Sequence, residues 1–199
     1  ARSRAAHASD SWRRSYPLTG PAEVQIVGAV GSIDVRTGES GAVLVEAERT
    51  VRAQNEAIAA SMVERVRITE DVTPGRVMLR NDGLGGVVVA ADVEVNFRVT
   101  VPPETRVRLR TAVGAVTVTG LTGAVVASTD DGSISAVGLR GPVEARAVNG
   151  PVTVALAAVG AGPVVLHSTS GTVSVQLPAD AAAELRASTT NGTVSVEGF

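Results

Sequence analysis

Few of the 199 residues could do acid–base, nucleophilic or metal chemistry, and those few do not fall at the spacings such chemistry requires. There is no cysteine, which excludes disulfides and thiolate metal sites. Of the two histidines, His7 lies in a polar N-terminal stretch without a partner close in sequence. His167 is flanked by alternating apolar residues. A catalytic histidine on a left-handed β-helix belongs to a hexapeptide repeat, which is absent. His167 instead aligns with Arg110, Ser128, Arg146 and Ser188, a column expected to face water. Asp130 and Asp131 could offer oxygen ligands to Ca²⁺, but the dense Gly-Gly-x-Gly-x-Asp repeat of calcium-binding β-rolls is missing, so both read as turn residues before Gly132.

Glu144, Arg146 and Arg186 are mid-strand charges of the kind a polysaccharide lyase gathers in a groove, yet no second acid aligns with Glu144, and exposed pairing is the simpler reading. Three positions after each of five glycines stands Thr117, Ser135, Thr153, Ser174 or Ser195. This hydroxyl column lacks the matched companion an ice-binding face needs, because its neighbours are Ala115, Ser133, Pro151, Thr172 and Thr193. Asn191-Gly192-Thr193 matches a glycosylation acceptor but also duplicates the corner of every other unit. Gly83-Leu84-Gly85-Gly86 has no following helix or lysine, so it reads as a loop and not as a phosphate cradle. No catalytic, cofactor-binding or metal-binding residue is assigned.

The elements that would carry these residues follow from an internal repeat. Gly114, Gly132, Gly150, Gly171 and Gly192 are spaced 18, 18, 21 and 21 residues apart. Each leads an apolar pair: Val116 and Val118, Ile134 and Ala136, Val152 and Val154, Val173 and Val175, Val194 and Val196. Seven and five residues before each glycine lies a second pair: Val107 and Leu109, Val125 and Ala127, Val143 and Ala145, Val164 and Leu166, Leu185 and Ala187. Each unit is therefore two short strands with one face apolar and the other polar. The turns fall at Gly120 and Gly123, Gly138 and Gly141, Gly160 and Gly162, and Pro178 with Asp180. Asp131, Asn149, Ser170 and Asn191 precede the repeated glycines, with Val113 the exception. A two-strand unit cannot bury its own apolar face, whereas a stack of such units in register can.

The same template appears earlier, where Val24 and Ile26 precede Gly31, Ile33 and Val35. Gly38 and Gly41 then lead to Val43, Val45 and Ala47, as Gly120 and Gly123 lead to Val125 and Ala127. An excursion follows. Ile58, Met62 and Val66 predict a short helix within 54–66, residues 66–79 predict a hairpin turning at Pro74 and Gly75, and Val93 to Val101 alternate until Pro102 and Pro103.

Composition agrees with a thin core, since 36 Val, 30 Ala and 21 Gly stand against four aromatics. Two of those, Trp12 and Tyr16, lie in the basic polar segment 1–17, read as a tail or linker in which they dock over an end of the core. All 18 basic residues are Arg, against 20 acids, for a net charge of −2. Neither half shows a basic stripe, and four aromatics cannot build a stacking platform, so nucleic acid is not an expected partner. No apolar run is long enough to cross a membrane. The start at Ala1 points to a removed signal or anchor segment, although a trimmed sequence would look the same.

The strand ending at Pro102-Pro103, then Val107-Arg108-Leu109, then units such as Thr129-Asp-Asp-Gly-Ser-Ile and Thr189-Thr-Asn-Gly-Thr-Val, resemble the bacterial adhesin-like β-solenoid domains of unknown function over residues 18–199. Ala147, in place of the Thr or Ser found three before Gly in other units, and the two 21-residue spacings depart from regularity. The resemblance implies an extracytoplasmic protein, periplasmic, secreted or at the cell surface, and brings no catalytic residues. The expectation is an all-β fold, a single-stranded β-solenoid (β-helix) with two short strands per 18–21-residue rung. Residues 105–199 form the regular rungs and 18–104 a less regular N-terminal β region with one short helix. The expected role is a non-enzymatic structural or interaction module binding a surface, glycan or protein partner. The rivals are end-to-end self-association through an open last rung, which Phe199 would close if it folded over the column, and a carbohydrate-active β-helix enzyme.

Overall fold

A computed structural model describes residues 6–38, 41–84, 91–160, 162–179 and 184–198. Beyond Pro102, successive strands alternate between two sheets. β8 (Arg106–Val113), β10 (Val125–Asp131), β12 (Val143–Asn149), β14 (Val164–Ser170) and β16 (Leu185–Asn191) lie in one, here sheet B. β9 (Val116–Thr119), β11 (Ile134–Leu139), β13 (Val152–Leu156), β15 (Val173–Gln176) and β17 (Val194–Glu197) lie in the other, sheet A.

Each of these strands pairs in parallel with its counterpart one repeat away. Val107, Val125, Val143, Val164 and Leu185 stand side by side, as do Val116, Ile134, Val152, Val173 and Val194. The register is forced by the period of two, because a slip of one residue would turn every valine to water. From Val107 to Val175 the inward pairs are no more than 2% exposed. The last unit opens: Val194 is 43% exposed and Leu185, Ala187 and Val196 are only partly covered.

At the corners, the repeated glycines serve stacking as much as turning. A Cβ on Gly150 would lie 1.9 Å from the carbonyl oxygen of Gly132, and one on Gly132 would lie 2.0 Å from that of Gly114. Backbone therefore touches backbone from one unit to the next, and φ of +146° at Gly150 also disfavours any side chain. Beside this column runs a hydroxyl row, buried except at Thr189. Thr111, Thr129, Ser168 and Thr189 donate to the carbonyls of Gly31, Gly114, Gly150 and Gly171 at 2.9–3.0 Å. Ala147, 2% exposed, occupies the equivalent place beneath Gly132 without a hydroxyl.

The early unit does stack on the later ones. β2 (Glu23–Val30) pairs in parallel with β8, and β3 (Ile33–Thr37) with β9, so residues 38–105 are an excursion from a continuous stack. Within it, β4 (Ala42–Ala53) differs from expectation. Despite its Gly38 and Gly41 lead, it does not cross to sheet B as β10 does, but runs antiparallel to β7 (Asp92–Val101) in sheet A. β7 in turn is parallel to β3 and takes the position beside it. The hairpin forms from β5 (Ile68–Thr73) and β6 (Arg76–Asn81), with β6 parallel to β2, while Val66 lies before it.

The helix α1 is Glu56–Val63, capped by Asn55, whose Oδ1 accepts from the Ile58 amide at 2.9 Å. Its buried residues are Ala59 and Val63, one position round from the expected Ile58 and Met62 stripe; Met62 is partly buried, and Val66 is buried beyond the helix end. The helix lies on β4 and on β1 (Ala6–Pro17).

β1 corrects the tail reading of the N-terminal segment. Residues 6–17 pair antiparallel with the whole of β4 and form the edge of sheet A. The segment lacks an apolar period because its inward side faces α1 and the N-terminal end of the core, where Asp10, Trp12, Arg14 and Tyr16 find polar as well as apolar partners. Both sheets are thus open and of mixed strand direction. Among the described residues sheet A has nine strands from β1 to β17 and sheet B eight from β16 to β5.

Candidate interaction surface

The inward pairs leave every intervening residue on an outer face, so any function of the stack is exercised by what the two faces carry. His167 lies on the outer face of sheet B, its Nδ1 2.9 Å from Ser188 Oγ on the next strand, with Arg146 on the other side. A base beside a hydroxyl is present, but among the described residues no carboxylate is hydrogen-bonded to the ring to orient it, and the pair lies on an open strand surface. Asp131 accepts from Asn149 Nδ2 at 2.7 Å, a corner-to-corner contact along the stack. Among the described residues, no three His, Asp or Glu side chains converge as metal ligands would.

Glu144 and Arg186 align as expected but two strands apart, with Val165 between them. Each takes a partner on or beside its own strand, Glu144 with Arg146 at 2.8 Å and Arg186 with Glu184 at 2.6 Å. The Thr117, Ser135, Thr153, Ser174 and Ser195 column is in register on sheet A, and in the companion column Thr172 and Thr193 approach to 3.4 Å. Asn191 ends β16 at the exposed corner. Asn81 holds the Gly83 amide at 2.9 Å, Gly85 and Gly86 lie outside the described residues, and the next element is the strand β7. Phe199 and Asp180 also lie outside them. His7 is exposed on β1.

Sequence reasoning missed the way the hydroxyl column continues toward the N-terminus. Beyond Thr117 it passes to Asp34, Arg98, Glu46 and Arg13 on neighbouring strands, alternating in charge. Arg13 meets Glu46 at 3.0 Å and Arg36 meets Asp34 at 2.7 Å. Arg98 borders a shallow depression of 670 Å³ with Asp34, Glu48, Glu94 and Asn96. On the described strands of this face Arg13, Arg36, Arg52 and Arg98 stand against Asp34, Glu46, Glu48, Asp92, Glu94 and Glu197, so acids are in excess.

Sheet B differs. On three adjacent strands, β6, β2 and β8, the outward residues are Arg76, Met78 and Arg80; Glu23, Gln25 and Val27; and Arg106, Arg108 and Arg110. All five arginines are exposed. Arg108 meets Glu23 at 3.1 Å; among the described residues Arg76, Arg80, Arg106 and Arg110 form no ion pair. A basic patch therefore exists on a chain of net charge −2. Totals by half-chain hid it, because its arginines come from strands about thirty positions apart.

At the N-terminal end, Tyr16 is 8% exposed and its hydroxyl donates to Glu70 Oε2 at 2.7 Å. Burial, and then the neighbouring Glu70, push the phenol above its ordinary value. Trp12 is partly buried against the core with the Arg14 guanidinium 5.0 Å from its ring centroid. Arg49 donates to the Val66 carbonyl at 2.8 Å and pairs with Asp10, tying β1 and β4 to the segment after α1.

These features define an all-β chain built by stacking two-strand units, with acids in excess on one outer face and arginines on the other. No protein-family model and no curated protein matches the chain. Among solved structures it is similar to a protein of Clostridium sporogenes described as a putative cell adhesion protein, with a TM-score of 0.63 at 11% identity, over 96% of this chain and all of that one. A protein of Bacteroides fragilis described as a putative adhesin aligns over 94% of this chain and 97% of its own, with a TM-score of 0.37 at 14% identity. The first of these supports the fold. No helix among the described residues is long and apolar enough to cross a membrane.

Proposed function

We propose that this chain is a non-enzymatic, adhesin-like interaction module that acts outside the cytoplasm. Its residues 105–199 form a β-solenoid of 18- to 21-residue rungs, and residues 6–104 complete the same single domain. The observation that carries the reading is the pair of polar outer faces that the in-register stack displays, one bearing the Thr117, Ser135, Thr153, Ser174 and Ser195 column and the other the arginines of β6, β2 and β8. The C. sporogenes protein, by its description, is consistent with such a role.

The test is retention of washed bacterial cell walls and of extracellular-matrix material on the immobilised chain. Retention resisting competition by serum albumin supports the reading, and a folded chain that retains neither overturns it. Fractionation of cells expressing the complete gene product checks the compartment; recovery in the cytosol alone would remove the extracytoplasmic part.

A second reading is favoured by the exposed edges of β16 and β17. Their inward residues are half-covered, and neither strand carries the proline or lysine that commonly blunts an edge. At the opposite end β1 and β5 are the edge strands, with α1 packed on β1 and β4. Self-association through β16 and β17 of two copies would pair like ends and close as a two-fold dimer. Sedimentation across a hundredfold concentration range decides this: a monomer throughout excludes it.

A further inference from the structure

The arginines of sheet B are not merely clustered; they are spaced. Following one outward row along the stack, the residues in register are Arg80 on β6, Val27 on β2, Arg110 on β8, Ser128 on β10, Arg146 on β12, His167 on β14 and Ser188 on β16. Every second strand from β6 to β12 therefore presents a guanidinium. With strands ~4.8 Å apart, the charges recur about every 9.6 Å along the stack axis. Between them lie only the smaller, uncharged Val27 and Ser128, so a chain lying on this row would meet no obstruction. Arg76 and Arg106 repeat the two-strand interval in a flanking row, on either side of Glu23.

We infer that the outer face of sheet B binds a linear acidic polysaccharide lying along the stack, with carboxylates one disaccharide repeat apart seated on Arg80, Arg110 and Arg146. A disaccharide is about the length of two strand spacings, and a guanidinium presents a planar fork that fits a carboxylate with two hydrogen bonds. Arg80 and Arg110 form no ion pair among the described residues, and Arg146 holds only the exposed Glu144.

Competing polyanions fit less well. Duplex DNA presents a charge every ~1.7 Å along its axis, far denser than this row, and the face offers neither a helix for a groove nor an aromatic for stacking. A membrane surface would call for an amphipathic helix or exposed aromatics beside the charges, and this face has neither. On the described strands of sheet B seven outward arginines stand against the carboxylates of Asp71, Glu23, Asp130, Glu144 and Glu184, so positive charge still exceeds negative on this face.

This inference rests on the interaction-module reading and names its partner. The experiment measures binding of hyaluronate, which carries one carboxylate per disaccharide, to the immobilised chain, with neutral dextran, a short DNA duplex and phosphatidylserine vesicles as alternatives. The expected result is hyaluronate binding that weakens with salt and falls about tenfold when Arg80→Thr, Arg110→Thr and Arg146→Thr are combined. Arg36→Thr with Arg98→Thr on sheet A should leave it unchanged. If the triple variant does not fold, methyl-esterified hyaluronate replaces it and must lose binding to the unaltered chain. Absence of hyaluronate binding, binding indifferent to these changes, or stronger retention of DNA or vesicles overturns the inference. A chain that holds cell walls but not hyaluronate loses this inference alone; one that holds neither loses the interaction-module reading as well.

Discussion

The corner of each unit shows how one atom decides a residue. Gly150 cannot be replaced by alanine without a Cβ at 1.9 Å from the Gly132 carbonyl oxygen, and the atoms it would meet are backbone, which has little room to yield. Gly150→Ala is expected to cost more than about 3 kcal/mol in denaturant unfolding. The opposite change is available one strand away. Ala147 lies where other units place a buried hydroxyl on the glycine carbonyl, so Ala147→Ser should raise stability by about 1 kcal/mol, read as an increase in Tm. Tyr16 gives a pH effect. Its phenol is held protonated above the ordinary tyrosine value, so the folded state binds this proton more tightly than the unfolded chain. The stabilisation is fully present at neutral pH and is lost as pH rises past ~10. Tyr16→Phe should remove that alkaline loss, which stability curves at pH 8 and pH 11 would reveal.

At the scale of the strand, alternation rules. Val152 is fully buried between Ile134 and Val173, while Thr153 faces water on the same strand. Val152→Asp is expected to destabilise by several kcal/mol, about the cost of an uncompensated buried charge, and Thr153→Asp to be nearly neutral. Equal losses in urea titrations would contradict the alternation. The period of two made these strands legible from sequence, as did the prolines that end β7. The helix was legible in position but not in face, because its apolar residues cover more than one side and the choice depends on β1 and β4 beneath it. β4 was legible as a strand and not in its pairing. The same glycine lead that carries β10 to sheet B allows a reversal here, and β7, arriving fifty residues later, provides the edge that β4 takes.

Over the whole molecule, a stack with nearest-neighbour contacts should tolerate the loss of one unit if register is kept. Deleting residues 132–149 removes one 18-residue spacing and brings Gly150 onto Gly114, so the variant should fold with a circular dichroism spectrum of the same form. Deleting only 132–140 breaks the register and should abolish cooperative unfolding. The basic face belongs to this scale too. Arg80 and Arg110 become neighbours only because β2 lies between β6 and β8, and no window along the chain contains that arrangement.

The sequence alone determined the strands of the repeat, their inward and outward faces, the glycine corners and the small-residue core, because each depends on spacing within a single unit or between adjacent ones. The tertiary structure decided the place of β1, the sheet to which β4 belongs, the openness of the last unit and the grouping of the arginines. Those depend on which distant strands come to lie side by side, and local periodicity carries no record of that choice.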